Sequence, residues 1–314
     1  MSLPHDSFGV PEQQNLEFLV ARALEEDLGS GGDITSTAII PGDARGAAWL
    51  VARSPGVLAG VPAVELLARK FELLSGWVAH CADGDRLDAG TLIGHLAGPM
   101  RALLAMERTA LNFLQRLSGI ATLTARYVAL VHGTRAAIYD TRKTTPGWRS
   151  LEKYAVRCGG GLNHRLGLYD AVLIKDNHLA CIRDTAIPAG ADPFATAIAR
   201  ARKASPAGTM IEIEVDTLEE YQLALAGSPD IILVDNLGPA HVAEAVRLRD
   251  VFAPRIKLEA SGGVNLQSAR ALAQTGVDRI SIGALTHSAP ALDLALDYET
   301  ASSSFAPIAA PAPR

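Results

Sequence analysis

The sequence predicts an α/β protein, an incomplete parallel β/α barrel with an N-terminal α+β open-sandwich domain. Six short apolar runs occupy residues 136–143, 171–178, 211–216, 231–236, 256–263 and 279–284. Each run ends in charged or polar residues, and helical stretches separate them. Strand, helix, strand with polar strand ends describes a parallel barrel whose functional rim lies at the C-terminal ends of the strands. That places Arg142, Lys143, Lys175, Glu214, Asp235 and Gly262 around one mouth. Only six strands are clear, so the barrel is expected to fall short of eight.

The elements follow in chain order. Residues 1–12 read as a loose arm. Residues 15–28 carry Leu16, Leu19, Val20, Ala23 and Leu24 at helical spacing and stop at Gly29. Residues 29–35 are glycine-rich and read as a flexible turn. From 44 to about 100, short strands at 46–52, 56–59, 77–81 and 91–97 are broken by Gly, Pro and Asp, with a helix at 62–74 among them. Residues 100–131 form a long helix on Leu103, Leu104, Met106, Leu111, Leu114 and Leu117, placed to bridge two domains. The expected division is an N-terminal sandwich with its bridging helix at 1–131 and a catalytic barrel at 132–288. A C-terminal helix at 289–300 and a disordered tail at 301–314 follow.

Bulk composition narrows the classes. With 314 residues, the length prior is about two domains. Hydrophobic residues make up 48%, enough for a large core. A net charge of −5 and an isoelectric point near 5.9 argue against nucleic acid as a partner. Three widely spaced cysteines show neither zinc-ligand spacing nor a disulfide framework, which fits the cytoplasm. No apolar run approaches the roughly 18 residues of a membrane span, and the N-terminus does not read as a signal peptide. Residues 140–178 nevertheless gather seven Lys and Arg against four Asp and Glu, which suggests a small anionic ligand. Within that stretch Arg149, Lys153 and Arg157 read as solvent-facing helix residues pairing with neighbours such as Glu152.

Five constellations carry chemistry. Residues 140–147 (Asp-Thr-Arg-Lys-Thr-Thr-Pro-Gly) put two cations side by side at a strand end. Arg142 offers a planar fork for carboxylate or phosphate, and Lys143 a mobile point charge. Residues 159–165 follow three glycines with Leu, Asn, His164 and Arg165, so backbone and cations both approach a ligand. Lys175 emerges from a buried run. It could form a Schiff base, as in aldolases, or contact an anionic substrate, and spacing alone does not decide. In residues 211–216, Glu212 and Glu214 share a face. Either that face looks into the barrel, or the isoleucines fill the interior and both glutamates lie near helices. Asp235 is the better-placed acid, and with Glu214 it would hold Mg²⁺ or sugar hydroxyls. Glycines at 262, 263 and 283, each ending a strand ahead of a helix, suit a phosphate.

Together these motifs resemble the quinolinate phosphoribosyltransferase family over residues 24–296. The resemblance rests on 26–35 (Glu-Asp-Leu-Gly-Ser-Gly-Gly-Asp-Ile-Thr), the Glu-Arg-Thr-Ala-Leu-Asn run from 107, 140–147, 163–165, 173–178, 212–216 and 259–263. It implies that quinolinate and phosphoribosyl pyrophosphate give nicotinate mononucleotide, pyrophosphate and CO₂, with Mg²⁺, in de novo NAD biosynthesis. It also implies a homodimer, open to further assembly, whose sites are shared, with Arg108 reaching the partner's site. By the same resemblance, the quinolinate-binding cations fall on Arg142, Lys143, His164, Arg165 and Lys175, and Thr141 is expected to bind substrate. The ribose and metal acids fall on Glu214 and Asp235, and the phosphate loops on Ser261, Gly262, Gly263, Gly283 and Ala284. Lys143, Lys175, Glu214 and Asp235 are the expected catalytic set. The other readings of the residues are a Schiff-base lyase on Lys175, a relative redirected to another pyridine or a molybdate-related role, and a phosphometabolite-binding protein without activity.

Overall fold

In the computed structural model, residues 8–184, 187 and 191–299 are described. The chain divides into two compact units, one built from residues up to 122 together with those from 290 onward, the other from 123–289. The expected disordered tail at 301–314 lies outside the described residues.

The first unit holds α1 (Val10–Leu28), α2 (Ile34–Ile39), β1 (Arg45–Ala52), β2 (Gly56–Val57) and α3 (Val61–Lys70). β3 (Trp77–Ala79), β4 (Arg86–Leu87), β5 (Leu92–Pro99) and α4 (Met100–Val131) follow, α4 passing into the second unit. α1 begins at Val10, earlier than its apolar spacing indicates. Pro11 sits in its first turn, where no amide donor is needed, and Glu12 reaches back to accept from the Gly9 amide. The glycine-rich stretch after α1 is not wholly a turn, because Asp33 accepts from the Ser36 amide and starts α2. A four-stranded antiparallel sheet runs β12-β1-β5-β3. Its edge strand β12 (Leu294–Tyr298) replaces the helix expected at 289–300. Leu292, Leu294, Leu296 and Tyr298 alternate with Asp293, Ala295 and Asp297, a period of two, and β12 pairs with β1 in register Leu50↔Leu296. Gly119 makes this return possible, since a Cβ there would stand 2.1 Å from the Pro290 carbonyl oxygen.

The second unit alternates strand and helix. It comprises β6 (Ala137–Tyr139), α5 (Arg149–Cys158), β7 (Val172–Ile174), α6 (Asp176–Asp184), α7 (Pro193–Ala204) and β8 (Ile211–Val215). Then come α8 (Leu218–Ala226), β9 (Ile231–Asp235), α9 (Pro239–Phe252), β10 (Lys257–Ser261), α10 (Ala269–Gln274), β11 (Arg279–Ser281) and α11 (Ala284–His287). All six predicted strands form. They make one parallel sheet in the order β6-β11-β10-β9-β8-β7. The first strand therefore pairs with the last, as in a barrel, while β6 and β7 end as opposite edges. Short, buried, β-branched strands such as Ile-Ile-Leu-Val in β9 are what a sheet covered by helices requires. Among the described residues no helix is long and apolar enough to cross a membrane.

Candidate active site

The edge of β6 is where the site begins. Beyond α5 the chain returns alongside β6: Leu162 donates its amide to Ile138 and accepts from Asp140. Asp140 is fully buried and gathers three donors, Lys153 Nζ, Asn163 Nδ2 at 2.7 Å and the His164 amide at 2.8 Å. This cluster corrects the reading of α5 as a solvent-facing helix. Lys153 and Glu152 are fully buried, and Arg157 donates to Asn163 Oδ1 at 2.8 Å. Burial pushes the Asp140 carboxyl up and the Lys153 ammonium down, so each charge depends on the other. Glu152 accepts from the amide and hydroxyl of Thr145 at 3.0 and 2.9 Å, and the Thr286 hydroxyl donates to the Lys143 carbonyl at 2.8 Å. The polar face of α5 thus fixes the two loops that carry Arg142, Lys143, His164 and Arg165.

A hollow of about 360 Å³ opens at the C-terminal ends of the strands. Thr141, Arg142, Lys143, His164, Arg165, Lys175, Glu214, Asp235 and Ser261 all line it, as expected. The fold also adds Glu259, Ser281, Leu173 and Leu233. Gly262, Gly263, Gly283 and Ala284 are not among the lining residues. Gly283 nonetheless packs on the stem of Lys143, where a Cβ would come within 2.8 Å of Cδ. Gly262 has φ +86 and lies against the Asn236 amide, where a Cβ would stand 2.5 Å from the nitrogen. Any larger residue there would displace the β9 end that carries Asp235. Arg108 is exposed on α4 in the first unit and does not line the hollow.

Cations dominate one wall. Burial and then the charge of neighbouring Arg142 hold the Arg165 guanidinium below its usual range. Two arginines that close repel each other unless an anion lies between them. Among the described residues neither Arg142 nor Lys143 has a carboxylate partner, and Arg142 Nε is buried with no hydrogen-bond partner. Lys175 Nζ instead bonds Glu214, and the Asn236 side-chain amide donates to Asp235 at 2.7 Å.

Beneath this wall lies a buried acidic floor that the sequence reading did not assign to the site. On β8 the glutamates do face inward, and the isoleucines pack outward. His164 Nε2 stands 2.9 Å from Glu212 and 3.5 Å from Glu259. Both carboxylates are essentially buried, and Glu212 Oε1, both Glu259 oxygens and Ser281 Oγ have no hydrogen-bond partner among the described residues. Burial, then the Glu212 charge, pushes the Glu259 carboxyl up to about 7. Burial alone would lower His164, but the hydrogen bond to Glu212 and the charges of Glu259 and Glu212 raise it. The Arg165 amide donates to His164 Nδ1 at 2.8 Å, which assigns the ring proton to Nε2 and turns it toward Glu212. The three groups lie within 4.8 Å of one another, but with Nε2 as donor they form a hydrogen-bonded cluster, not a ligand set. The signal for this floor was present in the alternation at 211–216 and in Glu259 two residues before Ser261, but only strand register shows which face is inside.

Known proteins match the chain over nearly all of its length. Residues 33–118 match the pattern for Quinolinate phosphoribosyl transferase, N-terminal domain, and residues 120–297 that for the C-terminal domain. The chain is 44% identical over 280 residues to the nicotinate-nucleotide pyrophosphorylase [carboxylating] of Mycobacterium leprae, covering 88% of this chain and 95% of that protein. It is 43% identical over 292 residues to a probable nicotinate-nucleotide pyrophosphorylase [carboxylating] of Bacillus subtilis, covering 92% and 95%. The solved nicotinate-nucleotide pyrophosphorylase of Francisella tularensis superposes with a TM-score of 0.82 at 34% identity, covering 95% of this chain and 98% of that one. With both domain patterns present in order on this fold, the chain belongs to the quinolinate phosphoribosyl transferase family.

Proposed function

We propose that this protein transfers a phosphoribosyl group to quinolinate, releasing pyrophosphate and CO₂ and leaving nicotinate mononucleotide for NAD biosynthesis. One observation carries the reading: Arg142, Lys143, Arg165 and Lys175 converge on one hollow, and among the described residues only Lys175 is held by a carboxylate. A ligand with two adjacent carboxylates supplies the missing charge. Arg142 and Arg165 clamp it through paired N–H donors, and Lys143 and Lys175 add point charges. The ring nitrogen attacks the sugar carbon as pyrophosphate leaves, and Glu214 and Asp235 stabilise the positive charge that develops there. The ring nitrogen, now quaternary and positively charged, stabilises the electron pair that the breaking bond to the 2-carboxylate leaves on the adjacent ring carbon as CO₂ departs. The ring carbon then takes up a proton.

Glu214 and Asp235 are inward-facing hard oxygen donors on adjacent strands, a donor set that fits Mg²⁺. Bound there, Mg²⁺ would neutralise charge on the leaving pyrophosphate. Ser261 lies in the hollow, and Gly262, Gly263, Gly283 and Ala284 at the ends of β10 and β11 form the phosphate side. We place the enzyme in the cytoplasm as a homodimer, with Arg108 of each copy completing the other's site. Exposure of Arg108 on α4 supports this. The Schiff-base reading loses ground because the Lys175 side chain is 42% exposed and bonded to Glu214, without the apolar surroundings that make a lysine nucleophilic.

Incubation with quinolinate, phosphoribosyl pyrophosphate and Mg²⁺ should yield CO₂ and nicotinate mononucleotide. Folded protein that forms neither would overturn the proposal. For the shared site, mixing Arg108→Ala and Arg142→Ala proteins, each impaired alone at low quinolinate, should restore part of the activity at that concentration, and no recovery would remove Arg108 from the partner's site.

A further inference from the structure

Lys175 differs from the other cations of the hollow. Among the described residues Arg142 and Lys143 have no carboxylate partner, whereas Lys175 Nζ is bonded to Glu214. Glu214 is also one of the two acids facing the sugar side. Its β8 position is in register with Leu233, two residues before Asp235 on β9, so Glu214 and Asp235 face the hollow from neighbouring strands. The pair therefore joins the cationic wall to the acidic wall, and among the described residues each member has the other as its ion-pair partner.

A dicarboxylate held by Arg142 and Arg165 competes with Glu214 for Lys175. Once Lys175 turns to the ligand, Glu214 is left ionised near Asp235, and two such charges repel. A ligand that brings hydroxyl donors and a divalent cation relieves that repulsion. The converse holds with equal force. Such a ligand occupies Glu214 and frees Lys175 for the carboxylates, because coupling between two binding equilibria is reciprocal. We propose that the Lys175–Glu214 pair makes the dicarboxylate and sugar-phosphate subsites fill cooperatively, each ligand releasing the half of the pair that the other needs. This rests on the substrate reading given above.

Calorimetric titration tests it without turnover. Phthalate carries two adjacent carboxylates but no ring nitrogen, so it can be titrated with and without phosphoribosyl pyrophosphate and Mg²⁺. Each should tighten the other by the same factor, on the order of tenfold. Glu214→Gln releases Lys175, so phthalate alone should bind more tightly than to the parent protein, and the coupling should vanish. Lys175→Met should also abolish the coupling. Asp235→Asn removes a charge from the same hollow without releasing Lys175, and should tighten phthalate far less. Thermal melts confirm that each variant is folded. Three results overturn the inference: independent binding in the parent protein, coupling that survives Glu214→Gln, or Asp235→Asn tightening phthalate as much as Glu214→Gln. If neither ligand binds the parent protein, the substrate reading itself fails, which is a separate and recognisable outcome.

Discussion

Lys153 and Lys175 are each bonded to a carboxylate of the barrel, one behind β6 and the other at the mouth. At the Lys153–Asp140 pair both side chains are 0% exposed, and Asp140 holds two further donors. At the Lys175–Glu214 pair the side chains are 42% and 15% exposed, and among the described residues the lysine ammonium has no second acceptor. A charge that cannot reach water has no alternative to its partner, so the first pair is a fixed strut that orients two ligand-bearing loops. A charge at the rim exchanges its partner for a ligand or water at little cost, so the second pair can be opened. The same two residue types thus serve structure in one place and ligand exchange in the other, and burial sets the difference.

The comparison can be broken at its buried end first. Lys153→Met should strand the Asp140 charge and cost about 3–5 kcal/mol in urea denaturation, with Asp140→Asn added in the double variant restoring part of the loss. A loss under about 1 kcal/mol would show that water reaches the pair. Arg142→Ala should leave stability nearly intact yet raise the quinolinate KM by tenfold or more, as expected from about 1.5–3 kcal/mol for a hydrogen bond to a charged group. Unchanged kinetics would take Arg142 out of the site.

The acidic floor gives a pH signature. Glu259 sits near 7 in the folded chain against 4.5 for an ordinary glutamate, so the folded state holds the extra proton. Its contribution to stability is complete below about pH 4.5 and declines as pH rises toward about 7, with a slope of at most about 1.4 kcal/mol per pH unit. Glu259→Gln should flatten that part of the stability profile, and an unchanged slope would show that the proton is held elsewhere. The smallest effect is expected at the rim. Lys175→Met should change stability by less than about 1 kcal/mol, in contrast to Lys153→Met.

Much of this was legible in the sequence, for local reasons. Four of the six barrel strands announced themselves by an apolar run closing on charged residues, so Arg142, Lys175, Glu214 and Asp235 could be placed at the mouth from the sequence. The misreadings share a cause in partners distant along the chain. Residues 149–158 look solvent-facing because six of ten are charged or hydroxylated, yet Glu152 and Lys153 are buried against Thr145 and Asp140. The alternation at 292–298 is masked because Ala and Leu are good helix formers, while its pairing partner β1 lies more than 240 residues earlier.

By itself the sequence determined the type and order of the barrel elements, the strand ends where ligand chemistry collects, and the family to which the motifs point. These follow from apolar periodicity and from charges that neighbours in sequence cannot neutralise. Tertiary structure alone decided which face of β8 looks inward, that His164 meets Glu212 and Glu259 beneath the cations, and which lysine is locked and which can let go. Those outcomes depend on strand register and on exclusion of water, both set by residues that meet only after the sheet curls and the helices cover it.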